Sequence, residues 1–114
     1  MASCLFCRIV AGELPATIVY RDYRIVAFLD INPQAPVHVL VIPTRHVATL
    51  NDLEAAEDGL VGELVRRAAA IARDEGIAER GYRTVFNCQR EAGQTVFHIH
   101  LHLVGGRPMA WPPG

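Results

Sequence analysis

Residues 97–103 read Phe-His-Ile-His-Leu-His-Leu, a histidine at every second position and a large apolar side chain at the others. Strict alternation is the period of a β-strand with one buried face. It predicts that Phe97, Ile99, Leu101 and Leu103 face a core while His98, His100 and His102 share the opposite face. Wound as a helix, the segment would turn His100 away from the other two and waste its β-branched and aromatic residues. At a rise of about 3.3 Å per residue, neighbouring histidines on that face stand about 6.6 Å apart at Cα, close enough to converge on one small substrate or ion.

A chain of 114 residues that is 51% hydrophobic has material for one core, so residues 1–114 are expected to form one domain, without linker or repeat. The net charge of −1, with acidic and basic residues scattered, offers no footprint for nucleic acid or an anionic membrane surface. All 11 basic residues are arginines, which removes Schiff-base chemistry and a P-loop lysine. No basic stretch leads into an apolar run at the N-terminus and no apolar segment reaches spanning length; a cytoplasmic protein is expected. Cys4, Cys7 and Cys88 are then reduced thiols or metal ligands.

The chain alternates helical and extended signals. Cys4–Ala11 is expected to form one or two helical turns, closed by Gly12 and Pro15. Residues 17–22 and 24–31 suggest an antiparallel hairpin, and residues 37–42 a third strand stopped by Pro43, with His38, Leu40 and Ile42 on one face. Asn51 and Glu54 have capping-box spacing and Gly76 suits a C-cap, so one long helix is predicted between them, its apolar stripe marked by Leu60, Leu64, Ala68 and Ile71. A strand at 82–87, the polar loop 88–94 and the histidine strand follow. The fold class is α+β, a mainly antiparallel sheet of five strands covered on one face, with one long and one short helix. The Gly/Pro-rich tail 105–114 carries the only tryptophan, Trp111, a ring expected to pack onto something, a second subunit being one candidate.

Neutral imidazole can be nucleophile, base or metal ligand, and imidazolium can donate to an anionic oxygen. One histidine on a strand face is ordinarily a bystander. Three in alternation point to function, because desolvating three rings without partners is costly. Two chemistries stand open on the residues alone. In one the middle ring attacks a phosphorus or acyl centre while its neighbours orient it. In the other alternate histidines chelate a water-activating zinc, with His38 as a further ligand.

The segments around the strand carry a resemblance. His98-Ile99-His100-Leu101-His102-Leu103, preceded by Asp30-Ile31-Asn32-Pro33-Gln34-Ala35-Pro36, His38-Val39-Leu40-Val41-Ile42-Pro43 and Gly93-Gln94-Thr95-Val96-Phe97, resembles the histidine triad family. The likeness is greatest to the branch of nucleotide-binding proteins that act as purine nucleoside phosphoramidases, and it runs from about Cys4 to Trp111-Pro112-Pro113-Gly114.

The resemblance implies a hydrolase in which His100 attacks the α-phosphorus of a purine nucleoside phosphoramidate, an AMP or GMP conjugate. The catalytic set is His100, His102, His98 and His38, with His102 and the backbone near Gly93 holding phosphate oxygens. Asn87, Gln94 and Thr95 match positions on the phosphate and leaving-group side; relatives usually carry serine where Thr95 stands, and the hydroxyl is kept. Asp30 matches the residue that binds the ribose hydroxyls, and Leu5, Phe6, Ile9, Phe28 and Ile31 match the apolar base pocket. The family's usual state is a homodimer with the sheet continued across the interface and Trp111 reaching the partner's site. The resemblance also offers two alternatives, a dinucleoside polyphosphate hydrolase and a nucleotide-binding interaction module with vestigial turnover.

Cys4-Leu5-Phe6-Cys7 is absent from the animal phosphoramidases and frequent in bacterial relatives. In sugar-nucleotide uridylyltransferases of the wider superfamily such a pair binds structural zinc with two histidines, which match His46 and His98 here. The implied ligand set is Cys4, Cys7, His46 and His98; two buried free thiols are the alternative. No metal is needed for the covalent chemistry itself.

Overall fold

The computed structural model describes residues 3–114. Its centre is a five-stranded antiparallel sheet, built from β1 (Ile18–Arg21), β2 (Ile25–Leu29), β3 (Val37–Pro43), β4 (Tyr82–Phe86) and β5 (Leu101–Gly105) in the order β1-β2-β3-β5-β4. A short helix α1 (Leu5–Val10) precedes the sheet and a long helix α2 (Asp58–Asp74) connects β3 to β4. The last strand in sequence is thus inserted between β3 and β4.

Period-2 alternation divides the interior into two layers. Ile25, Ala27, Val39, Val41, Leu101 and Leu103 point to one side, where Leu64, Ala68, Ile71 and Ala72 of α2 cover them. Val26, Phe28, Leu40 and Ile42 point to the other and pack on Phe6 and Ile9 of α1. The sheet is therefore covered on both faces where one was expected. The second cover is small, and the cavity described below opens beside it. No helix among the described residues is long and apolar enough to cross a membrane.

Three expectations about element ends are corrected. The histidine strand begins at Leu101 and not at Phe97; residues 97–100 are irregular, and Phe97 is 45% exposed instead of in the core. The long helix starts at Asp58 because residues 49–57 are spent on two 3₁₀ turns, each with its own capping box: Thr49 with Asp52, and Glu54 with Glu57. Asn51 lies inside the first turn and caps nothing. At the other end Gly76 (φ 76°) is the left-handed residue of a Schellman ending, in which Ile77 N–H donates to Ala72 O and Gly76 N–H to Arg73 O.

Burial along α2 sets the cost of truncation. Leu64 is fully buried and its neighbour Val65 is 47% exposed. Leu64→Ala is expected to lose about 3 kcal/mol of stability and Val65→Ala less than about 1 kcal/mol, measured by urea unfolding of both variants.

Candidate active site

The histidines on the face opposite α2 have three different environments, each set by a hydrogen bond. His98 is fully buried, and its Nε2–H donates to Pro43 O at 2.8 Å, which leaves the Nδ1 lone pair free. That Nδ1 lies 3.5 Å from Cys4 Sγ and 3.5 Å from Cys7 Sγ. His100 has the opposite tautomer: its Nδ1–H donates to His98 O at 2.8 Å, and the unprotonated Nε2 remains on a ring that lines a cavity. Burial holds the pKa of His100 below its ordinary value, so the ring is neutral at pH 7.

His102 is fixed from behind. Gln34 N–H donates to His38 Nδ1 at 3.0 Å, which puts the His38 proton on Nε2, and that Nε2–H donates to His102 Nδ1 at 2.9 Å. The His102 proton is consequently on Nε2 of a ring that also lines the cavity. His38 pairs with Val104 and Leu40 with His102 in the β3/β5 register, so the two histidines are diagonal neighbours on one face of the sheet. Asp30 Oδ2 stands 3.4 Å from His38 Nε2, while Oδ1 accepts from Asn32 N–H at 2.8 Å.

The cavity beside these rings holds about 300 Å³, within the range of small-molecule sites. Nine of the residues expected at the site line it: Leu5, Phe6, Ile9, Phe28, Asp30, Ile31, Thr95, His100 and His102. Ile31 does so as a fully exposed side chain at the rim. Pro15, Ala16, Leu29, Leu40 and Val96 complete the wall. Of these Leu40 had a signal in the sequence, its place on the His38 face of β3, and Val96 another, its place in the segment that leads into the histidines. Among the described residues no arginine lines the cavity. A shallower depression of about 540 Å³ lies over Cys4 and His46, and none of His98, His100 and His102 lines it.

Six expected residues do not line the cavity: His38 and His98, which stand behind it in the contacts given above, and Gln94, Gly93, Asn87 and Trp111. Gln94 is buried with its amide consumed by the backbone: its Oε1 accepts from Gln89 N–H, and its Nε2 donates to Ala48 O and Val96 O. It shapes the loop that presents Thr95. Gly93 is the left-handed residue (φ 87°) of the same loop. Asn87 and the 82% exposed Trp111 line a depression along the outer strand β4, where Arg83 Nη2 holds the tail through Ala110 O at 2.9 Å.

Cys4, Cys7, His46 and His98 bring four donor atoms within 4.8 Å of one another, a cluster that could bind a metal. Cys7 Sγ is 3.3 Å from His46 Nδ1. A tetrahedral ion bound at about 2.3 Å by sulfur and about 2.0 Å by nitrogen separates adjacent sulfur and nitrogen donors by about 3.5 Å, so the spacing fits. The outer shell fits as well, because the His98 ring donates its other N–H to a backbone carbonyl. Burial, with the hydrogen bond and charge of Cys4, pushes the Cys7 thiol up to about 11, so a bound cation would have to displace its proton. Asp30, His38 and His102 also lie within such a radius, but their contacts are those of the proton chain already described.

A family model described as HIT domain matches residues 11–109. The purine nucleoside phosphoramidase of Escherichia coli K12 is 49% identical over 105 residues, 92% of this chain and 88% of that protein. An uncharacterised HIT-like protein of Synechococcus elongatus is 51% identical over 110 residues, 96% of each. The crystal structure of a HIT family hydrolase from Legionella pneumophila superposes with a TM-score of 0.97 at 54% identity, covering 98% of this chain and 100% of that one.

Burial, reinforced by repulsion from His100 and His38 and opposed by Asp30, brings the pKa of His102 down from 6.5 to about 4. Between those values the unfolded chain binds the proton and the folded one does not. The stability tied to a neutral His102 is fully present above about pH 6.5 and lost as pH falls toward about 4. Melting temperatures across that window should fall more steeply for the wild type than for His102→Gln; parallel curves would refute the assignment.

Proposed function

The chain belongs to the HIT domain family and is a hydrolase, and on that premise we propose that it cleaves the P–N bond of purine nucleoside phosphoramidates through a nucleotidyl-histidine intermediate. The observation that carries the reading is the hydrogen bond from His100 Nδ1–H to His98 O, which leaves a neutral ring with a free Nε2 pair in the cavity. The lone pair attacks the α-phosphorus, the P–N bond to the amine breaks, and the amine takes a proton from solvent as it leaves on the open side, where Thr95 is exposed. His102 Nε2–H donates to a phosphoryl oxygen as charge develops, with His38 holding the opposite nitrogen. Water then attacks phosphorus from the vacated side and gives up a proton to solvent, breaking the phosphorus bond to Nε2 and releasing the nucleoside monophosphate and neutral His100.

Asp30 accepts the ribose hydroxyls, and Leu5, Phe6, Ile9, Phe28 and Ile31 enclose the purine. The lack of an arginine in the wall favours a singly charged phosphoramidate over a polyphosphate chain. Zinc is the ion assigned to Cys4, Cys7, His46 and His98: a soft Cys₂His₂ set at tetrahedral spacing, with no open position for chemistry. When bound it supplies only structural linkage. The working state is assigned as a homodimer across the free edge of β4, beside which Trp111 is exposed and available to a partner's cavity. A cytoplasmic setting is assigned with it, the compartment in which Cys4, Cys7 and Cys88 would stay reduced.

Acid-quenched wild type turning over adenosine phosphoramidate should carry a nucleotidyl adduct on His100 by mass spectrometry, and His100→Ala should lose at least about 10³-fold in kcat. An adduct on His98, or none, would sink the covalent route. Elemental analysis should find one zinc per freshly purified chain and much less in Cys4→Ala; background metal in the wild type would dispose of that assignment.

A further inference from the structure

The four clustered donors are close to the cavity through two separate routes. Cys4 and Cys7 bracket Leu5 and Phe6, and those two residues are part of the cavity wall. The Phe6 ring meets His98 edge-on at 6.0 Å and His100 at 5.0 Å between centroids. The second route runs along the backbone, where the residue that offers Nδ1 to the cluster is also the residue whose carbonyl accepts the His100 proton at 2.8 Å.

Helix α1 is too short to hold itself. Six residues lie well under the length at which a helix is stable in water, so its position depends on packing and on its cap. The cap is Cys4 Sγ, which accepts from Cys7 N–H at 3.4 Å. A metal-bound thiolate is a stronger acceptor than a neutral thiol, so an ion in the cluster would reinforce the cap and fasten Leu5 and Phe6 together. His46 attaches the same cluster to the segment after β3, where Val47 O accepts from Ile99 N–H at 2.7 Å.

We propose that the ion held by Cys4, Cys7, His46 and His98 is a latch on the nucleotide cavity, closing its wall through Leu5 and Phe6 and fixing the His100 tautomer through the His98 carbonyl. This rests on the zinc assignment above and adds to it that ion and nucleotide bind cooperatively. The ion touches no substrate; its part is positioning. Cooperativity of this kind is reciprocal, so AMP must tighten zinc by the factor by which zinc tightens AMP.

The test uses the full chain, with AMP and Zn²⁺ as probes. Zinc affinity of the wild type is measured by chelator competition with and without saturating AMP, and AMP affinity by calorimetry on zinc-loaded and zinc-stripped protein. Both are expected to change by about tenfold, within the usual range of coupling between sites. His46 lies outside the nucleotide cavity, so His46→Ala should weaken zinc and AMP together, while His46→Cys, which keeps four ligands, should restore both. Nitrogen-15 spectra should show the His100 Nδ1–H tautomer alone when zinc is bound and a mixture when it is removed. If AMP leaves zinc affinity unchanged, the latch is overturned even where a stripped or mutated chain fails to fold, because that comparison needs only the loaded wild type. If the wild type binds no zinc, the assignment beneath it fails instead, and elemental analysis tells the two apart.

Discussion

The structure depends on β5 being an interior strand. It pairs with β3 on one side and β4 on the other, and its alternation buries Leu101, Leu103 and Gly105 while leaving His102 and Val104 half-buried. Leu101 and Leu103 are committed to the α2 layer, so the intervening His102 is forced into the layer shared with Phe6 and Phe28. A slip of one residue would exchange the two sets and bury imidazole against α2. Register and active site are therefore one constraint.

Once the rings are buried, each needs a partner, and the partners decide the chemistry. Among the described residues no buried side-chain nitrogen or oxygen lacks one. Pro43 O, His98 O and Gln34 N–H are backbone groups, fixed by the fold and not titratable. They assign the proton to Nε2, Nδ1 and, through His38, Nε2 in His98, His100 and His102 in turn. Three copies of one side chain thereby become a lone pair facing two cysteines, a lone pair facing the cavity and a donor. Burial also favours the neutral form in all three, as a nucleophile requires and as a strand of solvated imidazoles would not provide.

Residue pattern made much of this readable in advance. The five strands, the α2 stripe and the His38 face follow from periodicity, and local repetition of a period is what a sequence reports best. The start of α2 was not readable, because Thr49/Asp52 and Glu54/Glu57 compete with Asn51/Glu54 as capping pairs; only the packed structure selects among them. Phe97 broke the alternation for a related reason. It precedes the paired part of the strand, where the pleat no longer dictates which way a side chain points. Gln94 matched a substrate-side position and is instead consumed by three backbone groups, a fate that depends on Ala48 being near, 46 residues away in sequence.

The sequence by itself determined that three histidines share a strand-like segment, that an α+β core of one long helix and five strands surrounds it, and that Cys4 and Cys7 are spaced as a ligand pair. Tertiary structure decided which histidine does what. His98 is separated from its neighbours because His46 and α1 arrive beside it, and His102 is distinguished because β3 lays His38 diagonally across the sheet. The physical reason is that alternation is a property of consecutive residues, whereas a proton's position on an imidazole is set by the group opposite each nitrogen. For His98 and His102 those groups are Pro43 O and His38, 55 and 64 residues away in sequence, whereas His100 takes its partner, His98 O, from two residues back.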